Sequence, residues 1–453
     1  MATILGLLTT ESFANERFKN IRRSVFYFYP NGAAPLIGLM SLLKEEVTND
    51  PEYRWYEKYL LEQRTTTASI GSNVAVYTTV SADYTTTWTA ASGNFTWTSG
   101  TLYGLKVAST SVFRVGHMIK FATIVSGTAT EAFGRVEYVD TDNTRLAVRA
   151  VESQTAASTY NSAAGIGQEV LVIGNAFHEG AVGSSYNPYN TPINPYNYTQ
   201  IFRTAWQITG TQLKTSIKYD ETGAYGDQAK DASINHMREM EFAYLFGVRN
   251  QVTSGTTPIR YTGGIIWFLR QWEAADSIYR GGSGAAAITA NTDDDKRIIS
   301  LTDGYITDKL YNTYLERHFR YTNNKSNEKF VLCGSGFLNV INQLYQSKAV
   351  LNADLPMTDT YGMNVVSHTT PFGKIYYKSH PLFNMNSTLR NNALFLEVHN
   401  LKYRYVNGRD TELLTERQPN NADYREDEYL TEAGLEMLMP QTAMYLTNVQ
   451  DWK

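Results

Sequence analysis

The stretch from Asp227 to Phe246 contains neither glycine nor proline. Within it Ala229, Ala232, His236, Met240 and Ala243 recur every three or four residues, with Met237 and Tyr244 beside them. Lys230, Asp231, Arg238, Glu239 and Glu241 fall mostly on other faces. That spacing predicts one amphipathic helix. A helix of about 20 residues is roughly 30 Å long, so the rest of the chain must be built along a rod of that length. Asp227 is expected at the N-cap, where its carboxylate would accept a free backbone N–H. Gly247 is expected just past the C-terminal end. Upstream, Phe202, Thr204, Trp206 and Ile208 alternate with Arg203, Gln207 and Thr209, the period of a half-buried strand. The loop from Tyr219 to Gly226 separates strand from helix.

Composition limits what surrounds the rod. At 453 residues, 42% hydrophobic and 19% charged, the chain can bury a large core in about two or three domains. A net charge of -4 gives no basic excess for a dedicated nucleic-acid binder, whose affinity would come from phosphate neutralisation. Aromatics are abundant, with 32 Tyr, 19 Phe and 7 Trp, and they must be absorbed by a core or by contact surfaces, which favour Tyr. Cys333 is the single cysteine, so no disulfide framework or Cys-based zinc site forms within one chain. No apolar run is long enough to span a membrane. Ile4 to Leu8 lacks a preceding basic region and Glu11 follows soon after, a poor signal peptide. Synthesis in a reducing cytoplasm is expected.

Residues 1–34 are expected to form an N-terminal arm, with a short helix from Glu11 to Arg23 and an aromatic strand from Ser24 to Tyr29. A second short helix is expected over Pro35 to Glu46. Asp50 to Arg64 mixes aromatics with charges and fits either an extended limb or an ordinary amphipathic core element. From residue 65 to about 176, Thr, Ser, Ala and Gly dominate and charges are sparse. Short strand-like runs with turn punctuation, Asp140-Thr141-Asp142-Asn143 among them, predict a small β-barrel or sandwich there. The stretch "SSYNPYNTPINPYNYT" is a loop by its Asn and Pro content. Its Tyr186, Tyr189, Tyr196 and Tyr198 either pack on a neighbour or fold back as an Ω-loop. Downstream, helices are expected over Thr302 to Tyr321 and from a Ser335 cap to Tyr345. Strands are expected over Glu328 to Cys333, Lys374 to Lys378, Leu394 to Val398, Lys402 to Val406, Glu428 to Met439 and Thr442 to Val449.

The segment "TAWQITGTQ" followed by "DQAKDASINHMREMEFAYLFG" resembles the start of the backbone helix in major capsid proteins of tailed bacteriophages, which have the Hong Kong 97-type fold. "NAFHEG" near Asn175, the Arg260…Gly263-Gly264 turn before a short helix, and the closing order "fG-x-I…HP-l…LfLe…E-x-gLe-x-x-x-P" are similar to the same family. The resemblance covers most of the chain outside 65–175. It implies an α+β fold with an N-arm over 1–34, a short helix and outgoing E-loop limb over 35–70, and a returning limb over 175–215. Peripheral and axial domains follow over 216–453, with the spine helix at 227–246. The Thr-rich region 71–174 would be an all-β domain inserted in the E-loop.

Cys333-Gly334-Ser335-Gly336 sits between strand and helix, but Cys333 and Phe337 occupy the glycine positions of a nucleophile elbow, and no phosphate-loop lysine follows. His178-Glu179 lacks a second histidine at Val182. Asp293-Asp294-Asp295 lacks EF-hand spacing, and Glu426-Asp427-Glu428 reads as a solvated turn. No catalytic, cofactor or metal constellation emerges.

Three functions remain open. The resemblance implies a head protein that assembles into hexamers and pentamers of an icosahedral shell around double-stranded DNA. Its partners would be copies of itself, a scaffolding protein, a portal and a cement protein. An encapsulin-like compartment for enzyme cargo shares the fold. A carbohydrate-binding or hydrolytic β-rich protein is the reading from another class. Trp55, Tyr56, Arg64, Tyr189 and Tyr196 are the candidate intersubunit contacts; Asp227, Met237, Met240 and Gly247 define the spine helix.

Overall fold

The structure is a computed structural model. It describes residues 35–41, 45–58, 63–68, 76–81, 84, 88–90, 94–95, 97–125, 128–152, 160–161, 168–180, 191–215, 223–255, 257–274, 279, 296–322, 327–348, 357–360 and 363–452. The expected arm over 1–34, Tyr186, Tyr189 and Asp293 to Asp295 lie outside them. The chain is α+β and divides into two compact units. One draws on Met1–Arg54, Tyr196–Glu273 and Asp293–Lys453, the other on Trp55–Pro195 and Ala274–Thr292.

In the first unit, the alternating segment upstream of the helix forms the strand Gln200–Thr209. It pairs antiparallel with the long strand Tyr424–Met437, in register from Gln200 opposite Ala433 to Thr209 opposite Tyr424. Leu401–Val406, Glu46–Thr48 and Glu412–Leu414 complete a five-stranded sheet. Period-2 patterning puts Phe202, Trp206 and Ile208 on the buried face and Ile201, Arg203, Ala205 and Gln207 outside. The spine helix, Gly223–Phe246, lies on the buried face, where Tyr244 meets Phe202 edge-on.

Several expected boundaries move. The spine helix starts four residues before Asp227, which is therefore an interior residue and not the N-cap. Two glycines weaken that first turn by about 1 kcal/mol each. Tertiary contacts offset this, because Tyr225 packs near Trp206, lies under Arg425 and donates its hydroxyl to Asp427. Gly247 follows the helix, and its role is close approach: a Cβ there would lie 2.3 Å from the Ala243 carbonyl and 2.6 Å from that of Thr262. The helix after Pro35 ends at Ser41, and Glu46 already belongs to a strand, its carboxylate held by Lys402 and Arg404. The helix expected over Thr302 to Tyr321 is Asp308–Phe319, because Thr307 accepts the Leu310 N–H as N-cap.

A seven-stranded mixed sheet forms the rest of this unit, with Glu328–Cys333 between Gly373–Ser379 and Ala393–Leu396. Val331, Ile375, Phe395 and Leu446 pack against Tyr311 and Leu315 of one helix, and Phe337 and Ile341 of the helix Ser335–Lys348. Ser335 is the first residue of that helix.

The second unit is antiparallel. Its sheet runs Arg64–Thr66, Glu169–Asn175, His117–Val125, Thr128–Asp140, Arg145–Ala150, Leu102–Lys106, Val76–Val80 and Trp88–Ala90. Ala68 donates to Lys106 O and Ala108 to Thr66 O, both at 2.9 Å, so the first strand also bonds the sixth and the ladder closes as a barrel. Trp97, Leu105, Val107, Ile119, Phe121, Leu146, Val148 and Val170 fill the inside. Fully burying each aliphatic side chain contributes about 1.5–3 kcal/mol. Lys120–Glu131, Arg135–Glu137 and Arg149–Glu137 pairs lie on the outer side. The Asp140 to Asn143 turn joins two strands as expected, with the Asp140 carboxylate accepting from Asn143 N and from Arg145.

Candidate functional site

The residues expected to contact neighbours start on the limb Asp50 to Lys58. Here the sequence E-Y-R-W-Y-E-K runs extended, so alternate side chains face opposite ways. Tyr53, Trp55 and Glu57 are buried, while Arg54 and Lys58 are exposed and Tyr56 is 75% exposed. Trp55 thus differs from its expected role: its indole N–H donates to Glu57 Oε1 at 2.7 Å, inside the chain. Tyr53 reaches the Leu435 carbonyl with its hydroxyl at 2.8 Å, and a Cβ on Gly434 would lie 2.4 Å from that oxygen. Arg64 is half exposed and meets Glu169 at 3.4 Å across a strand pair.

Tyr196 and Tyr198 stand in a strand, Tyr196–Tyr198, paired antiparallel with Glu52–Arg54, and not in a loop. Between them Asn197 is fully buried and does what proline-rich context concealed. Its Nδ2 donates to Leu435 O at 2.7 Å, Gly263 O at 3.0 Å and Thr262 Oγ1 at 3.2 Å. Its Oδ1 accepts from Gly263 N at 2.8 Å and Tyr198 N at 2.9 Å. Tyr196 is half-buried under a cation: the Arg249 guanidinium lies 3.6 Å from its ring centroid and 4.4 Å from that of Trp267. Arg249 also donates to Tyr196 O. Contacts of this kind contribute about 0.5–2 kcal/mol.

Along the spine helix Met240 is buried as expected, but Met237 points outward at 44% exposure. Glu241, placed by spacing on an outer face, is fully buried. Its carboxylate accepts from Leu36 N at 2.8 Å, Ile37 N at 2.9 Å and His380 Nε2 at 2.7 Å. His380 Nδ1 accepts from Leu382 N, so the ring proton sits on Nε2 and donates to Glu241. His236, one turn earlier, bridges Thr204 and Thr431, and burial lowers its pKa. Asp427 and Glu428 are likewise buried and not a solvated turn. Asp427 accepts from Glu416 N, Arg425 and Tyr225; Glu428 pairs with Arg203 and Arg417. No short-range pattern reveals such partners. The limb's alternation E-x-R-x-Y-x-K, by contrast, was a usable signal for choosing Tyr56 over Trp55.

These groups hold the fold. Gly334 N donates to Asn392 O and Ser335 N to Asn384 Oδ1, so these two N–H groups at the turn after Cys333 are engaged within the fold. The Cys333 thiol is buried and its pKa pushed up by burial. Among the described residues no cluster of His, Cys, Asp and Glu could hold a metal ion. In the barrel unit, Tyr84 stacks on Tyr138, and Trp88 lies under Arg145 at 4.4 Å.

Fold and buried network thus describe an α+β scaffold pinned by buried polar groups such as Asn197, Glu241 and Asp427. Comparison with known proteins narrows the class to phage head proteins: residues 8–450 match the family model described as SU10 major capsid protein, and the chain belongs to that family. A curated relative, the major capsid protein of Pseudomonas phage PaMx41, is 26% identical over 309 residues, 63% of this chain and 66% of the relative. The match spans just under two thirds of that relative's length. Among solved structures, the chain is similar to the cyanophage A-1(L) capsid asymmetric unit, with 13% identity and a TM-score of 0.40 over 62% of this chain and 85% of that one. It is also similar to the holo-SrpI encapsulin of Synechococcus elongatus PCC 7942, with 9% identity and a TM-score of 0.34 over 59% and 78%.

Proposed function

We propose that this chain is the building block of a phage head: a non-catalytic subunit that assembles into hexamers and pentamers of an icosahedral shell enclosing double-stranded DNA. The family match over residues 8–450 carries this reading and favours the phage head over a cargo compartment. The arrangement is of the Hong Kong 97 type, with N-arm 1–34, E-loop limbs 35–70 and 175–215, inserted domain 71–174, and peripheral and axial domains over 216–453. Pairing of Glu52–Arg54 with Tyr196–Tyr198 supports a hairpin of two limbs. Pairing of Arg64–Thr66 with Glu169–Leu171 supports an insertion whose ends lie side by side. Scaffolding, portal and cement proteins are the further partners, the virion is its location, and synthesis takes place in the host bacterial cytoplasm.

Tyr56 and Arg64 are the intersubunit contacts with an exposed side chain. A tyrosine left 75% exposed on an extended segment is poised to bury its ring on a neighbouring copy. Sedimentation of the purified chain tests this: wild type gives capsomers or shells, and Tyr56→Ala gives folded subunits that associate weakly. Unchanged association would remove Tyr56 from the interface. Excising 71–168 with a short linker leaves the Arg64–Thr66 pairing in place and is expected to give a folded subunit; global unfolding would refute the insertion.

A further inference from the structure

The strand Gln200–Thr209 has a sheet neighbour on one side only. Tyr424–Met437 pairs with it from end to end without a shift of register. Two hydrogen bonds fix which backbone groups that pairing uses. Gly210 N donates to Asp423 O, so the even-numbered positions face the partner strand. Thr199 N turns the other way and donates to Pro51 O at 2.8 Å. Alternation therefore carries the N–H and C=O groups of Ile201, Arg203, Ala205 and Gln207 to the far side. Among the described residues no backbone partner meets them there. Just upstream, the same side already takes an added strand: Glu52–Arg54 pairs with Tyr196–Tyr198. The chain before it diverges, since Glu46–Thr48 lies at the opposite end of the sheet beside Leu401–Val406. The position in line with Glu52–Arg54, alongside Ile201 to Gln207, is left open.

An open ladder templates another strand, and sheet edges are normally guarded by shortness, proline, bulges or charge. Those guards are missing here. The strand is 10 residues long, holds no proline and keeps one register throughout. Its single charge, Arg203, is drawn across the sheet onto Glu428, with Nε 3.0 Å from the carboxylate. Ile201, on the same outer face, is 52% exposed. The spine helix leaves the flank clear: His236 bridges Thr204 and Thr431, and Tyr244 meets Tyr403, so the helix sits over the inner strands. We propose that two copies of this chain pair antiparallel through this edge, about a twofold axis, joining their five-stranded sheets into one. The occupant is the same strand of a second copy. Other strands left at sheet edges among the described residues run only two to five residues, as in Asn94–Phe95, Ile298–Ser300, Met357–Thr360 and Asn250–Ser254. This edge matches itself in length, and an isologous contact satisfies both open ladders at once. Charge sets the register. Arg203 opposite its own copy would place like charges face to face. The axis therefore passes at Thr204 or Ala205, where Arg203 meets Ala205 or Gln207 of the second copy. The contact is independent of the shell reading, since a plain dimer would use it equally.

Cross-linking of the full-length chain tests it. Cys333 is buried, so Ala205→Cys supplies one reactive thiol per chain. Either register brings position 205 within about 8 Å of its copy, the reach of a short bis-maleimide. Dimers whose tryptic peptide 204–214 is linked to itself are expected, in at least about tenfold excess over Leu413→Cys, an exposed position in the strand Glu412–Leu414. A yield equal to that control would overturn the proposal and leave the edge to some other segment or protein. Ala205→Lys puts a guard on the edge without touching the ladder to Tyr424–Met437. It is expected to weaken association about tenfold in sedimentation, with the melting temperature unchanged, while Leu413→Lys has no effect. Unchanged association of Ala205→Lys would contradict pairing. Electron microscopy of the cross-linked sample separates this contact from the shell: shells that lack the 205–205 link refute the pairing alone, and linked dimers that build no shell support it alone.

Discussion

The barrel unit and the unit built on the spine helix reach stability by different routes. The barrel encloses Leu105, Ile119, Leu146, Val148 and Val170, and displays Lys120–Glu131 and Arg149–Glu137 pairs outside. Its inside is a matter of volume and apolar area. The larger unit buries Asn197, Glu241, His380, Lys329, Glu397 and Asp427 among its apolar groups. An apolar core tolerates many packings, whereas a buried polar group is satisfied in one arrangement only and strongly penalises the others. The spine unit is thus pinned where the barrel is filled. For a subunit that must present fixed surfaces to copies of itself, rigid positioning of the helix and limbs follows from the pins.

The contrast is broken most severely by Met240→Pro. It removes a helix hydrogen bond and a buried side chain at 3% exposure, together costing about 5 kcal/mol or more. Thermal unfolding is expected to show loss of the spine unit, with electron microscopy showing no ordered assemblies; normal shells would place the helix outside the load path.

Lys329→Met separates pinning from filling. Lys329 Nζ lies 2.9 Å from Glu397, both fully buried, and desolvation lowers the lysine pKa despite that partner. Leaving Glu397 alone is expected to cost about 3–5 kcal/mol, while Lys329→Met with Glu397→Leu costs much less. Denaturant titration of single and double variants checks this; equal losses would show that packing, not the orphaned charge, governs the site.

Leu146→Ala tests filling. A loss of about 2–5 kcal/mol is expected, confined to the barrel. Hydrogen exchange should rise through residues 102–150 and stay unchanged in the spine helix. Uniform acceleration in both units would mean that they unfold as one.

The smallest effect concerns pH. Burial, reinforced by Lys329 and Arg297, holds the His318 pKa well below normal, and among the described residues neither ring nitrogen has a hydrogen-bond partner. The unfolded chain binds this proton first, so the contribution is complete above about pH 6.5 and is lost as pH falls below it. His318→Phe, between Phe319 and Phe395, should flatten the fall in melting temperature from pH 6.5 to 5. An unchanged slope would assign the acid sensitivity to other groups.

What the sequence revealed follows the same division. Period carried the strand Gln200–Thr209, the spine helix from Asp227 onward and the short strands of the barrel, because their burial repeats at short range. The four extra residues at the helix start were hidden, since Tyr225 is held by Asp427 from a strand far along the chain. Glu241 looked solvated because its partners, Leu36, Ile37 and His380, lie 139 to 205 positions away. Asn197 was masked by the turn-like Asn-Pro-Tyr repeat around it. Trp55 and Tyr56 are alike by residue type, and it is the alternation along the limb that separates the buried ring from the exposed one.

Electron microscopy of the purified full-length chain, expressed alone and together with a candidate scaffolding protein, tests the central claim most directly. Closed icosahedral shells or rings of five and six subunits are the predicted result. Compact monomers persisting under both conditions would contradict it.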